Sequence, residues 1–238
     1  MIEQLDQTTV GEIVATDFRA AAVFERFGID FCCGGRRSVA DACRTAAVDP
    51  TDLAAALSAL AAEASSDDDV TAWSVARLVD HVVKRHHGYV RRVAPALTQY
   101  LDKLVQVHGQ RHPELARVGA EFAVVRQELE QHMMKEEQVL FPYVCRMADL
   151  RAEGRPLPPS PFGTVQNPIR MMEREHRDAA DEMRLIRELT NGYAVPADGC
   201  TTYKVCFSEL QEFERDLHRH VHLENNVLFP KAVALENL

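Results

Sequence analysis

Beyond residue 70, apolar positions recur three and four residues apart in four long runs, the spacing of one buried face on an α-helix. Runs of period two flanked by turn residues are scarce. The four runs are broken near residues 108–113, 153–161 and 191–199, where glycine and proline collect. Four helices with short connections predict an antiparallel bundle, whose facing side chains can build a site in the core. In front of them, residues 10–27 and 39–62 predict shorter helical segments on either side of Gly28-Ile-Asp-Phe-Cys-Cys-Gly-Gly35. The small, acidic stretch 64–70 reads as a linker. The expected fold class is all-α: a small N-terminal helical domain over residues 1–66, then a four-helix bundle over 72–238.

An internal repeat marks the second and fourth bundle helices. Leu129-Glu-Gln-His-Met-Met-Lys-Glu-Glu-Gln-Val-Leu-Phe-Pro142 aligns with Leu217-His-Arg-His-Val-His-Leu-Glu-Asn-Asn-Val-Leu-Phe-Pro230. Seven of the fourteen positions are identical, among them a histidine and the glutamate four residues after it. At about 100° per residue, His132, Leu129, Val125 and Leu140 all fall within about 40° of Glu136. His220, Leu217, Phe213 and Leu228 stand in the same relation to Glu224. Both His/Glu pairs therefore lie in the middle of an apolar stripe, where a buried carboxylate needs a partner.

One such partner is a histidine hydrogen bond within each pair. Two equivalent pairs in one bundle, however, bring two carboxylates into one core, which calls for cationic charge. Imidazole with carboxylate suits iron, manganese or zinc, and two carboxylates can bridge two ions. The same angles turn His218 and His222 away from Glu224, toward solvent. In the first helix His86 and His87 straddle the apolar stripe, and periodicity chooses neither. His176, between Met172 and Met183 on the third helix, can face inward, but periodicity alone does not decide it.

Composition changes this picture only at its edges. The chain has 238 residues, 46% hydrophobic and 26% charged, with 27 Lys+Arg against 36 Asp+Glu. A net charge of −9 argues against a nucleic-acid partner, which needs a basic face. No uncharged run reaches the ~20 apolar residues that span a bilayer. Acidic residues Glu3, Asp6, Glu12 and Asp17 speak against a leader segment, so a cytoplasmic protein is expected. Six cysteines are too few for a disulfide scaffold. Cys43, Cys145, Cys200 and Cys206 show no ligand spacing and read as ordinary core or surface thiols. Trp73 and the Met133-Met134 pair read as packing residues. The vicinal Cys32-Cys33 pair differs: it could bind or pass iron, accept a nitrosyl group or exchange disulfides. Arg36 and Arg37 would favour its thiolate. The alternative is that glycines shape a turn in which both cysteines pack as small apolar groups. Nucleotide-binding and serine-hydrolase motifs are absent.

The segments from His132 to Pro142 and from Asp216 to Pro230 resemble the hemerythrin-like domain of the iron–sulfur cluster repair di-iron proteins. Glu173-Arg-Glu-His176, Cys200-Thr-Thr-Tyr-Lys204 and Asp80-His81 with His87 fit the same pattern. Thr9-Val-Gly-Glu12 and the Cys32-Cys33-Gly-Gly loop resemble the small N-terminal domain of that family, so the likeness covers nearly the whole chain in order. The resemblance implies a di-iron centre, oxo- or hydroxo-bridged, on His87, His132, Glu136, His176, His220 and Glu224, with both glutamates bridging. It favours His87 over His86, and it places Glu128 and Glu175 near the irons, around them or along an iron path. His86 and His222 depart from the family pattern.

The function implied is repair of iron–sulfur clusters damaged by oxidative or nitrosative stress, by supplying iron, with Cys32 and Cys33 assisting transfer. Damaged iron–sulfur proteins and small gases such as nitric oxide or oxygen are then the partners, and a homodimer is left open. A nitric oxide or peroxide reductase at the same centre is the alternative, as is a module that binds or senses these gases.

Overall fold

The computed structural model describes residues 7–61 and 69–237. Glu3, Asp6 and residues 64–68 of the expected linker lie outside the described residues. The described fold is all-α: eight α-helical stretches, a short 3-10 turn at Val70–Ala72 and, between Thr9 and Ser38, one isolated antiparallel bridge.

The N-terminal segments each divide in two. Helix α1 (Val10–Thr16) begins with a reciprocal cap, Thr9 accepting from the Glu12 amide while Glu12 accepts from Thr9. It ends where Asp17 turns extended and pairs with Arg19, and α2 (Ala20–Arg26) follows. Ser38 caps α3 (Val39–Ala46), which stops at Ala47 in the left-handed conformation. Pro50 then opens α4 (Pro50–Ala61), a position where its missing N–H costs nothing.

Four long stretches follow. The first, α5, runs through Val75–His81, Val82–His87 and Gly88–His108. The second, α6, runs through Glu114–Lys135, Glu136–Leu140 and Phe141–Ala152. Helix α7 is Gln166–Leu189, and α8 runs through Thr201–Leu223, Glu224–Leu228 and Phe229–Asn237. The middle pieces of α5, α6 and α8 are π-helical. Phe141 donates to the Glu136 carbonyl and Phe229 to the Glu224 carbonyl, five residues back instead of four. The repeated Phe-Pro gives a reason: Pro142 and Pro230 have no N–H to donate, and a proline ring inside an α-helix clashes with the carbonyl four residues earlier. One wider turn upstream relieves both problems.

The chain packs as two compact units. One comprises Asp80–Arg146 and Gln166–His220. In it, His87 meets His220 while His108 meets Cys200, so α5 and α8 run antiparallel. Leu97, Leu101, Leu104, Val118, Phe122, Met183, Leu210 and Phe213 fill the core of this four-helix bundle. The other unit gathers the described residues up to Val79 with Met147–Val165 and Val221–Leu238. Its core includes Val10, Phe24, Phe31, Val39, Leu53, Val227 and Phe229. No helix of the described residues is long and apolar enough to cross a membrane.

Candidate metal centre

Within the bundle, four histidines bring their Nε2 atoms together. His87 Nε2 lies 3.2 Å from His220 Nε2 and 3.3 Å from Glu136 Oε2. His132 Nε2 lies 3.0 Å from His176 Nε2 and 3.2 Å from Glu136 Oε1. The single Glu136 carboxylate thus turns one oxygen to each side. His87, Glu136 and His220 offer ligand atoms within 4.8 Å of one another, and His132, Glu136 and His176 form a second such group. Glu224, one turn beyond His220 on the same continuous helix, is the fourth member of each group. All six residues are buried.

The outer nitrogens decide what this set can accept. His87 Nδ1 is 2.6 Å from Glu137 Oε1, and His132 Nδ1 is 2.8 Å from Glu175 Oε2. A carboxylate can only accept, so each Nδ1 carries a proton, and the ring atom turned inward is Nε2, which in the neutral tautomer is a lone-pair donor. Inward lone pairs then face a buried carboxylate across about 3 Å, an arrangement that a cation resolves. Histidines oriented by outer carboxylates are the usual support of metal ligands. The donor set fits a metal.

Each outer carboxylate has its own cation. Arg91 donates to Glu137 over 2.8 Å, and Lys135 pairs with Glu175. The hydrogen bond from His132, aided by Lys135, pulls the Glu175 carboxyl down to about 2. The family resemblance had singled out Glu175; Glu137 was not singled out. The signal was there in the adjacent Glu136-Glu137, but a second carboxylate beside a ligand reads as solvated surface until His87 is placed. Glu128 stands one turn before His132 on the same helix. It lines a cavity of about 180 Å³ together with His132, Lys135, Glu175 and Asp178.

The ambiguity at the first helix has a structural cause. Both His86 and His87 are buried, because the π-turn Val82–His87 swings two successive side chains inward. His87 enters the centre. His86 Nδ1 instead pairs with Asp216 over 3.1 Å, and its ring lies parallel to that of His220 at 5.7 Å.

His222 corrects the expectation of a solvent-facing residue. It is buried against the rings of Phe18 and Phe31, at 6.0 and 5.8 Å. Burial there holds its pKa down at about 4. His218 is half-buried.

The thiol loop also differs in its electrostatics. Asp30 Oδ1 accepts from the amides of Cys32 and Cys33, each at 3.0 Å, and from the Cys32 thiol at 3.3 Å. Cys32 is buried and Cys33 half-buried. The Cys33 thiol, burial and Asp30 together push the Cys32 thiol well above its usual range, the opposite of the lowering expected from Arg36 and Arg37. Cys200 behaves in the opposite way. Exposed at the start of α8, it meets His108 Nε2 at 3.3 Å. That contact, with the Tyr203 and Thr202 amides, brings it down to about 7.

A buried set of four imidazoles and two carboxylates on an antiparallel bundle defines a helical-bundle metal-binding protein. Comparison with known proteins agrees. The family described as "Hemerythrin HHE cation binding domain" matches residues 78–232, and the "Domain of Unknown function (DUF542)" matches residues 6–61. Proteins named iron-sulfur cluster repair protein YtfE are similar over nearly the full length. That of Dickeya chrysanthemi is 33% identical over 225 residues, covering 94% of this chain and 96% of its own. That of Citrobacter koseri is 34% identical over 227 residues, covering 95% and 97%. The chain belongs to the hemerythrin HHE cation-binding family, in the branch that carries the additional N-terminal domain and includes these YtfE proteins.

Proposed function

We propose that this protein repairs iron–sulfur clusters damaged by oxidative or nitrosative stress, and that it does so by supplying iron. The observation that carries this reading is the buried His/Glu set with its inward Nε2 atoms. Two irons are its occupants, with His87, His132, His176 and His220 as terminal ligands, Glu136 and Glu224 bridging, and an oxo or hydroxo bridge between the metals. Six protein ligands fall short of the demand of two such ions, which keeps the metal exchangeable. Iron is the cargo here, and damaged iron–sulfur proteins are the acceptors. Glu128, Glu175 and Asp178 give the cavity beside His132 an acidic lining that suits a passing cation. Cys32 and Cys33, in an N-terminal domain of residues 1–66 that precedes a bundle over 72–238 in the chain, assist the transfer. The setting is the cytoplasm.

The test combines two measurements on anaerobically purified protein. Metal analysis should find about two irons per chain, magnetically coupled, and the loaded protein should reactivate an apo iron–sulfur enzyme. Bound iron without reactivation would defeat the repair reading. The cavity of about 180 Å³ beside His132 also favours a second reading, reduction of nitric oxide or peroxide, because it admits a small molecule next to a ligand. Steady turnover of nitric oxide with an electron donor would select that reading.

A further inference from the structure

The loop that carries the paired thiols and the C-terminal part of α8 belong to one compact unit, and one side chain joins them. Asn226 Nδ2 donates to the Phe31 carbonyl at 3.3 Å and to the Cys32 carbonyl at 3.0 Å, and it lies 3.2 Å from His222 Nδ1. The backbone on the opposite side is shaped to this amide. A Cβ on Gly11 would stand 2.7 Å from Asn226 Oδ1 and 2.8 Å from its Cγ. A Cβ on Gly35 would collide with Asn226 Oδ1 and stand 2.6 Å from the Phe31 carbonyl. Gly11 and Gly35 are themselves tied, the Gly11 amide donating to the Gly35 carbonyl at 2.8 Å. Two carbonyls and two glycines thus converge on one amide, two residues after Glu224.

We propose that Asn226 is the latch of the thiol loop: a positioning residue through which α8 holds Cys32 and Cys33 in place and keeps the Cys32 thiol covered. The carbonyls of Phe31 and Cys32 can only accept, so the donor character of Nδ2 is what the latch requires, and not merely its volume. Phe31 follows the loop down onto His222, which places the cover and the latch on adjacent turns of one helix. In the latched form Cys32 is shielded, protonated and hydrogen-bonded to Asp30, so it is unreactive. Release of the amide exposes both thiols together. This deepens the iron-supply reading and rests on it for its biological sense: transfer through Cys32 requires the latch to open.

The test does not depend on iron or on repair activity, so failure of the one is distinguishable from failure of the other. The full-length protein is treated with iodoacetamide at constant pH, and each cysteine is followed by mass spectrometry. Asn226→Asp keeps the shape but replaces the donor with an acceptor, and Asn226→Ala removes both. Cys32 should be labelled at least about tenfold faster in either variant, because opening no longer costs two hydrogen bonds. Gly35→Ala should open the loop from the other side to a similar extent. Cys206, fully buried in the bundle, reports global unfolding and should stay as slow as in the parent. Cys32 labelling within twofold of the parent in Asn226→Asp would overturn the latch. Equal acceleration of Cys32 and Cys206 would also overturn it, since the residue would then hold the whole fold and not the loop.

Discussion

The two copies of the internal repeat share the face that reaches the metal centre and part company on the outer face. In both, the histidine and the glutamate reach the centre, and a π-turn begins at the glutamate. The shared letters, including the closing Val-Leu-Phe-Pro, account for the shared geometry. Equivalent positions nevertheless face different surroundings, whether or not the letter is shared. Met134 and Val139 in the first copy are 49% and 47% exposed, whereas their counterparts His222 and Val227 in the second are 0% and 4% exposed. Gln138 lies in solvent; its counterpart Asn226 binds the thiol loop. The same register of one helix can thus be surface in one copy and interface in the other. What a repeat conserves is the metal core, and what it varies is the tenant of its outer face.

The largest effect should come from breaking what the copies share. Glu136→Ala and Glu224→Ala each remove a member of both ligand groups, so each variant should lose most of its metal, while His218→Ala, on neither group, should keep it. Metal analysis per chain checks this, and equal loss in all three would show that the two copies do not define the centre. A smaller effect should follow where the copies differ. Val227→Ala removes buried apolar volume and should cost about 2 kcal/mol, whereas the exposed Val139→Ala should stay within about 0.5 kcal/mol. Denaturant unfolding of the two variants measures the difference, and equal costs would mean that Val139 is as covered as Val227.

The smallest effect concerns the two ends of α8, one near the latched Cys32 and the other holding Cys200. Folding lowers the Cys200 pKa from 9.0 to about 7, so its thiolate, the reactive form, prevails above that value and disappears as pH falls through it. Labelling of Cys200 should therefore rise with a midpoint near pH 7, with Cys32 silent over the same range. His108→Ala should move the Cys200 midpoint upward, because the partner at 3.3 Å is gone.

Much of the centre was legible in the sequence because metal ligation obeys local spacing. Four residues separate His132 from Glu136 and His220 from Glu224, and upstream of the π-turns the ordinary helical angle holds. His86 and His87 could not be separated by that angle because a π-turn runs through them. His222 was misplaced for a different reason: its angle was right, and the same angle leaves Met134 in solvent, but Phe18 and Phe31 arrive from far away in the chain to cover it. Asp216, Glu137 and Asn226 stayed hidden because each acts on a group distant in sequence. Cys200 had no ligand spacing, and only the fold brings His108 to it.

The π-turns of α6 and α8 also act as phase offsets. A single extra residue in one turn rotates everything downstream by about 100° relative to an unbroken α-helix. Each of these rods is therefore two half-rods out of phase, joined without a loop. The leading half is addressed to the metal, and the trailing half of α8 to the N-terminal helices, so one rod lends a separately oriented stripe to each of two cores. Such a rod tolerates changes of side chain far better than changes of length. Losing one residue between Glu224 and Leu228 would leave a continuous helix, yet point Val227, Leu228 and Phe229 at the wrong neighbours.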